Sequence, residues 1–200
     1  MDTLFKLVYF AGILVEIVVR LPYGRQHRQL PKTDQRISPA ERGLLGLLFV
    51  GMFLIPLLFS LTSWLRWADY RWPPATKARA GTLGSLFLAA AVWLFWRAHR
   101  DLGANWSPSL EITSQHTLVT EGVYRSIRHP MYASQWLWMV AQALLLHNWV
   151  AGLAGVVGFV PLYLLRVPRE EQMMLEHFGE AYQAYVARTG RIVPRVHATG

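Results

Sequence analysis

The sequence predicts an all-α integral membrane protein, a bundle of about five transmembrane helices. Three observations support this: 53% of the 200 residues are hydrophobic, only 16% are charged, and the apolar residues lie in long runs between basic clusters. Soluble domains carry about 25% charged residues, whereas basic residues beside apolar runs are typical of membrane proteins. The apolar content excludes a disordered chain. Because the sequence has no cysteine, a disulfide scaffold and a thiolate zinc site are also excluded.

Five runs with few or no charged residues are the candidate spans. They are Leu4–Val19, Gly43–Leu65, Gly81–Trp96, Met131–Leu146 and Trp149–Leu165. The first run contains Lys6 and Glu16, and a secretory signal peptide is the alternative for it, although bulky residues follow where such a peptide would be cleaved. Only His147 and Asn148 separate the last two runs, which predicts a tight helical hairpin. Small residues spaced four apart in the fifth run predict close helix contacts.

The distribution of lysine and arginine predicts the orientation. Fifteen of the 20 basic residues fall in residues 20–42, in residues 97–130 and in the tail from residue 166, which a five-span arrangement places on one side. The positive-inside rule puts that side, with the C-terminus, in the cytoplasm. The net charge of +8 is therefore attributed to orientation and to contact with anionic membrane lipids, and no nucleic-acid partner is expected.

Two polar segments on the cytoplasmic side carry the candidate chemistry. The first ends in Arg128-His129-Pro130 at the start of the fourth run, where proline suits the first turn of a helix. The second contains Glu170 and Glu171, and Pro168 predicts that a helix begins just before them. Taken singly, these residues are interfacial charges or complements of a helix dipole. Together, ionisable side chains concentrated at span ends indicate a functional site.

The composition of this cluster suits a zwitterionic cofactor with a further cationic centre. Tyr124 and Tyr132 offer aromatic faces for a cation, and a helix start beside Arg128 favours an anion. The sequence has no Gly-x-Gly-x-x-Gly, Walker, His-Glu-x-x-His or Gly-x-Ser-x-Gly motif. A Rossmann cofactor domain, a nucleotide-binding P-loop, a zincin and a serine hydrolase are therefore not indicated, and no metal site is expected.

The stretch from His116 to Tyr132, with its Gly122-Val123-Tyr124 and Arg128-His129-Pro130 segments, resembles the signature of the isoprenylcysteine carboxyl methyltransferase family. Glu170-Glu171 and the following Phe178-Gly179-Glu180 resemble that family's C-terminal block. The likeness covers roughly residues 81–195, and the wider phospholipid methyltransferase superfamily shares its main themes. It implies an integral-membrane enzyme that uses S-adenosyl-L-methionine.

The resemblance also implies roles for individual residues. The cofactor pocket would consist of His116, Thr117, Leu118, Val119, Tyr124, His129, Pro130, Met131, Tyr132 and Glu170. The catalytic residues would be Arg166, Glu170 and His129. Arg166 would face a carboxylate substrate, since guanidinium binds carboxylate through two parallel hydrogen bonds. On this basis residues 1–80 form an N-terminal transmembrane pair, and residues 81–200 form a catalytic region with three spans and C-terminal cytoplasmic helices.

The sequence leaves several alternatives for the natural methyl acceptor. The resemblance implies a lipophilic or lipid-modified acceptor, foremost the carboxylate of a prenylcysteine-like substrate. A small thiol or a lipid amine headgroup is the alternative within the same superfamily. A small transporter or accessory protein without enzymatic activity is the alternative outside it, although the chain has no visible internal repeat to favour a transporter. The sequence does not indicate the oligomeric state.

Overall fold

The computed structural model describes residues 2–29, 31–35, 38–107, 111–113 and 116–195. Seven α-helices are seen there: α1 (Asp2–Gln29), α2 (Pro39–Phe49), α3 (Ile55–Leu61), α4 (Pro74–Leu102), α5 (Pro130–Leu146), α6 (Trp149–Phe178) and α7 (Glu180–Arg188). A π-helical turn (Val50–Leu54) joins α2 to α3, so the two form one continuous rod. Two short strands, β1 (Lys32–Gln35) and β2 (Glu111–Thr113), pair antiparallel. The prediction of a helical bundle is confirmed, but the small sheet was not foreseen.

Three helical segments are long and apolar enough to cross a membrane. They are Pro39–Leu61, Pro74–Asn105 and Trp149–Phe178. They contain the third and fifth predicted runs and most of the second, whose last four residues lie beyond the helix. The other two runs are also helical, in α1 and α5, but these helices are not among the three. Helix α5 has 17 residues, and α1 carries Lys6, Glu16 and Arg20 within its length. Three of the five predicted spans are thus supported by length and composition.

The five long rods run in alternating directions. At one end of the bundle Asp2, at the start of α1, lies 3.4 Å from the Lys77 ammonium and 3.5 Å from the His147 ring. At the other end the His27 ring lies 2.6 Å from the Glu111 carboxylate. His147 has a left-handed backbone (φ 48°), and Asn148 caps the start of α6, which confirms the predicted hairpin between α5 and α6.

The π-helical turn supplies a buried polar junction between four helices. A π-turn shifts the backbone pairing, and carbonyl groups become available for other donors. The Gln142 side chain donates to the carbonyls of Gly51 (2.9 Å) and Ala151 (2.7 Å). The Tyr9 hydroxyl contacts the carbonyl of Met52 and the Gln142 side-chain oxygen. These bonds join α1, α5 and α6 to the π-turn and satisfy polar groups that would be costly to bury unpaired.

Small residues let α6 approach its neighbours closely, as the sequence predicts. A Cβ atom at Gly158 would lie 2.7 Å from backbone atoms of Leu48, and one at Gly51 would lie 2.3 Å from the Ala154 carbonyl oxygen. Such distances are incompatible with a side chain, so glycine sets the spacing of α2 and α6. Large apolar side chains on α1, α4 and α6 are exposed on the outside of the bundle, where lipid would cover them.

One prediction about local structure is wrong. Pro168 does not begin a helix, because it lies inside the 30-residue helix α6. The helix is continuous from Trp149 to Phe178, so Arg166 and Glu170 are one turn apart on the same rod. Proline removes one backbone hydrogen bond, and in a long packed helix the remaining bonds and contacts are sufficient to continue it.

Candidate active site

A cavity of about 290 Å³ opens at the end of the bundle that carries the polar loops. Its lining contains every residue that the sequence analysis assigned to a site: His116, Thr117, Leu118, Val119, Tyr124, His129, Pro130, Met131, Tyr132, Arg166 and Glu170. They come from the loop before α5, from the first turn of α5 and from the middle of α6. The structure therefore brings together residues that are up to 54 positions apart in sequence.

Glu170 faces into the cavity. Its carboxylate accepts a hydrogen bond from the Tyr132 hydroxyl at 2.9 Å, and its other oxygen lies 3.8 Å from Nδ1 of His129. The Glu170 side chain remains 32% exposed. Because a carboxylate has about four lone-pair positions, these contacts leave Glu170 able to accept hydrogen bonds from a ligand in the cavity.

Glu171 has different surroundings although it is the next residue. It does not line the cavity. It accepts hydrogen bonds from Nε of Arg128 (2.7 Å) and from the guanidinium of Arg191, and its oxygen lies 3.2 Å from Nε2 of His129. Arg128 also donates to the carbonyl of Thr189 at 2.9 Å. Glu171 therefore acts as the anionic centre of a structural cluster behind the cavity wall.

A second wall is formed by the loop that begins at His116. Asn105 positions this loop, since its side-chain oxygen accepts a hydrogen bond from the Thr117 backbone amide at 2.7 Å and its amide group donates to the Thr117 hydroxyl. Burial lowers the pKa of the His116 imidazole, and the neighbouring His177 lowers it further, while Glu170 acts in the opposite direction. The His116 ring is therefore neutral at neutral pH.

The wall around Tyr124 is held from two sides. The Asp101 carboxylate accepts a hydrogen bond from the Val123 amide at 2.9 Å, beside Gly122, whose positive φ of 58° favours glycine. The Tyr185 hydroxyl of α7 donates to the Tyr124 carbonyl at 2.7 Å. The C-terminal segment also pairs with this wall, because the His129 amide donates to the Arg191 carbonyl at 2.9 Å. The residues after α6 thereby hold the start of α5 in place.

The opposite end of the cavity is largely apolar and includes Arg166. Its apolar wall contains Leu45, Leu48, Met52, Phe159 and Leu162. The Arg166 guanidinium lies 3.5 Å from the carboxylate of Glu41, a residue of α2 that is only 1% exposed. Arg166 is thus held by an acidic partner from the N-terminal half of the chain.

Sequence reasoning missed several residues that build the site. Asp101, Asn105 and Arg191 support the walls, and Glu16, Arg20, Glu41 and Gln135 belong to the apolar end or contact it. A charge inside an apolar run was the available signal for Glu16, because ionisable residues within membrane helices usually have a function. The supporting roles of Asp101 and Asn105 depend on loop geometry and have no comparable sequence signal.

The geometry defines a helical membrane protein with a two-part cavity. One part offers a carboxylate, neutral histidine, tyrosine rings and loop backbone, which suit a polar ligand that carries positive charge. The other part offers apolar side chains around a guanidinium, which suit an amphiphile with an acidic group. Within the described residues, no group of three or more histidine, aspartate or glutamate side chains is arranged to hold a metal ion.

Comparisons with known proteins relate part of this chain to one family. Residues 83–176 match the model of the isoprenylcysteine carboxyl methyltransferase (ICMT) family. A stretch of 82 residues is 37% identical to protein-S-isoprenylcysteine O-methyltransferase B of Arabidopsis thaliana, covering 41% of this chain and 42% of that protein. A longer stretch of 140 residues is 28% identical to the human protein-S-isoprenylcysteine O-methyltransferase, covering 68% of this chain and 49% of that protein.

The match over residues 83–176 supports the resemblance described above, on nearly half of the chain. The chain spans about half or less of the length of these curated relatives. A solved structure of the eukaryotic intramembrane Ras methyltransferase ICMT also aligns, with 24% identity, a TM-score of 0.42, and coverage of 78% of this chain and 50% of that one.

Proposed function

We propose that the protein is a membrane methyltransferase that uses S-adenosyl-L-methionine and methylates the carboxylate of a lipophilic, prenylcysteine-like acceptor. One observation carries the proposal: a single cavity joins the polar wall around Glu170 to the apolar wall around Arg166. A polar methyl donor and an apolar acceptor could then meet without either leaving its preferred solvent. The match of residues 83–176 to the isoprenylcysteine carboxyl methyltransferase family model supports the same reaction class.

The donor set of the polar wall fits the proposed cofactor. S-adenosyl-L-methionine supplies an electrophilic methyl group on a positively charged sulfur. Glu170 would accept hydrogen bonds from its ammonium group, and the backbone and side chains of residues 116–119 would contact its polar groups. Neutral His116 adds no positive charge beside a cation. Tyr124, Tyr132, Pro130 and Met131 would complete the pocket around it.

The apolar wall fits an acceptor that enters from the bilayer. Its side chains come from α2, the π-turn and α6. The Arg166 guanidinium lies where this wall borders the polar part of the cavity. Arg166 would bind the acceptor carboxylate, and Glu41 holds the guanidinium from the other side. A carboxylate is already deprotonated at neutral pH, so the protein needs no general base. The remaining tasks of the chain are to orient the acceptor and to exclude water.

The same arrangement supports a role for His129 and a two-part organisation of the chain. His129 lies between Glu170 and Glu171 and would fix the orientation of Glu170 toward the cofactor. We propose that residues 81–200 carry the catalytic region and that residues 1–80 add transmembrane helices that complete the acceptor side. The polar end, with the C-terminus, would lie in the cytoplasm, where the cofactor is available.

Isothermal titration of the purified protein with S-adenosyl-L-methionine tests the cofactor assignment. We expect the wild-type protein to bind and Glu170→Gln to lose at least about tenfold in affinity, because the substitution removes the negative charge that faces a cationic ligand. Glu180→Gln is the matched control, since Glu180 is exposed on α7 and does not line the cavity. A wild-type protein that does not bind the cofactor would refute the methyltransferase proposal.

A methyl-transfer assay with labelled donor then identifies the acceptor class. We expect label to enter a prenylcysteine carboxylate, with an ester product that is released by mild base. Label in a small thiol or in a lipid amine would instead assign the alternative acceptor within the same superfamily. The assay therefore distinguishes the reaction class from the identity of the acceptor.

A further inference from the structure

Three arginines line the cavity, and one of them, Arg20, lies on a helix outside the family-matched region. Arg20 belongs to α1, and its side chain lines the same cavity as Arg166. It lies near two aromatic rings, with its guanidinium carbon 5.2 Å from the centre of the Phe95 ring and 5.9 Å from that of Trp106. These cation–π contacts orient the group without neutralising its charge.

The carboxylates near Arg20 form their hydrogen bonds and ion pairs with other residues. Within the part of the chain that the structure describes, no carboxylate lies within 4.0 Å of the Arg20 guanidinium. Glu16, one turn earlier, attracts it electrostatically but accepts its hydrogen bond from Gln135 at 3.1 Å. Glu111 pairs with His27. Arg20 thus retains an accessible positive charge on the cavity wall.

The other charged groups of the lining have partners within the protein. Arg128 is bound to Glu171, and Arg166 lies beside Glu41. Glu170 accepts from Tyr132 and lies near His129. The charged side chains of the polar wall are therefore compensated by neighbouring groups. On the acceptor side Arg20 and Arg166 repel each other, and Glu16 and Glu41 offset part of that repulsion.

Two guanidinium groups that line one cavity of low polarity together attract an anion into the space between them. A bound carboxylate would relieve the repulsion, and each guanidinium could donate two hydrogen bonds to it. Arg20 is an exposed residue that lines the cavity, which makes its guanidinium available to an incoming group. The flanking Phe95 and the apolar wall would receive the hydrophobic part of the same ligand.

We propose that Arg20 and Arg166 together form the recognition site for the acidic headgroup of the acceptor. The inference rests on the proposed function and deepens it: the acceptor is an amphiphile with a free carboxylate, and α1 supplies part of its specificity. Glu16 and Gln135 act as positioning residues that hold this part of α1 against α5.

The experiment compares two ligands on four proteins. N-acetyl-S-farnesylcysteine and its carboxamide differ only in the acidic group. We expect the wild-type protein to bind the acid about tenfold more tightly than the amide, and Arg20→Gln to reduce that preference at least about fivefold. Arg20→Lys keeps the charge but loses the paired hydrogen bonds, so an intermediate preference is expected. Arg25→Gln is the matched control, because Arg25 is an exposed residue of α1 outside the lining.

Titration of the same samples with S-adenosyl-L-methionine separates the two proposals. Unchanged cofactor affinity in Arg20→Gln shows that the variant is folded and that the proposed cofactor site is intact. If Arg20→Gln fails to fold, Arg20→Lys provides the comparison. An acid-to-amide preference that is the same in Arg20→Gln and in the wild type would overturn the assignment, and so would a wild-type protein without any preference. In either case cofactor binding would still stand as evidence for the methyltransferase.

Discussion

At the scale of single residues, the adjacent Glu170 and Glu171 show how one helical step changes a side chain's role. Successive residues on an α-helix point about 100° apart. Glu170 therefore faces the cavity, while Glu171 meets Arg128, His129 and Arg191. The sequence motif names both glutamates, but their roles depend on which groups the fold places opposite each of them.

The titration of His116 provides a prediction at this scale. Burial and His177 hold the pKa of the His116 imidazole below its ordinary value of about 6.5. We expect the affinity for S-adenosyl-L-methionine to be constant from about pH 8 to about pH 6.5 and to fall at lower pH, because protonated His116 would repel a cationic ligand. Titration calorimetry across this range measures the effect.

His116→Asn serves as the comparison in that experiment. Asparagine keeps a polar side chain of similar size and does not titrate, so the loss of affinity in acid should be reduced in the variant. A decline that is already half complete above the ordinary histidine pKa, or an identical decline in wild type and variant, would contradict the assignment to His116.

At the scale of helices, glycines determine how the acceptor side is built. Gly158 allows α6 to pack against the backbone of Leu48 in α2, and Gly51 in the π-turn packs against Ala154. The carbonyls of the π-turn meanwhile pair with Gln142 and Tyr9. Because these contacts join α2 to α6, they also set the distance between Glu41 and Arg166.

Replacement of Gly158 by alanine is expected to destabilise the protein. The new Cβ would lie 2.7 Å from backbone atoms of Leu48, so the two helices would have to separate. Overpacking of this kind costs about 1–3 kcal/mol, and thermal unfolding in detergent should occur at a lower temperature. Gly46→Ala is the control, because no atom lies within 4 Å of a Cβ at Gly46. Equal unfolding temperatures for the two variants would show that the close contact has no energetic importance.

At the scale of the whole molecule, the bundle separates two chemical environments. The polar loops, β1–β2 and α7 lie at one end, and His147 with the start of α4 lies at the other. The cavity reaches from the loops to the apolar side chains between α2 and α6. This division corresponds to the proposed entry of a polar cofactor from water and of an apolar acceptor from lipid.

The orientation of this axis can be measured directly because the chain contains no native cysteine. Ser63→Cys and Glu121→Cys each introduce one exposed thiol, at opposite ends of the bundle. The positive-inside rule predicts that a membrane-impermeant maleimide labels Ser63→Cys in intact cells and Glu121→Cys only after permeabilisation. The reverse pattern would place the polar end outside the cell and contradict the proposed source of the cofactor.

The sequence by itself determined the class of this protein. Long apolar runs dictate helices in a bilayer, where backbone groups must bond internally. The motifs from His116 to Tyr132 and at Glu170 indicated a resemblance to one family and the members of one cavity. These signals lie in short segments of the sequence, so they can be recognised without knowledge of the fold.

Only the tertiary structure decided which distant residues meet. It placed Glu41 beside Arg166, Arg20 on the same wall, and Glu171 in a supporting cluster, and it showed that α6 continues through Pro168. The physical reason is that helix rotation, π-turn geometry and glycine-mediated packing fix how helices face each other, and none of these depends on one local pattern. The acceptor side of the cavity is therefore a property of packing between helices outside and inside the family-matched region.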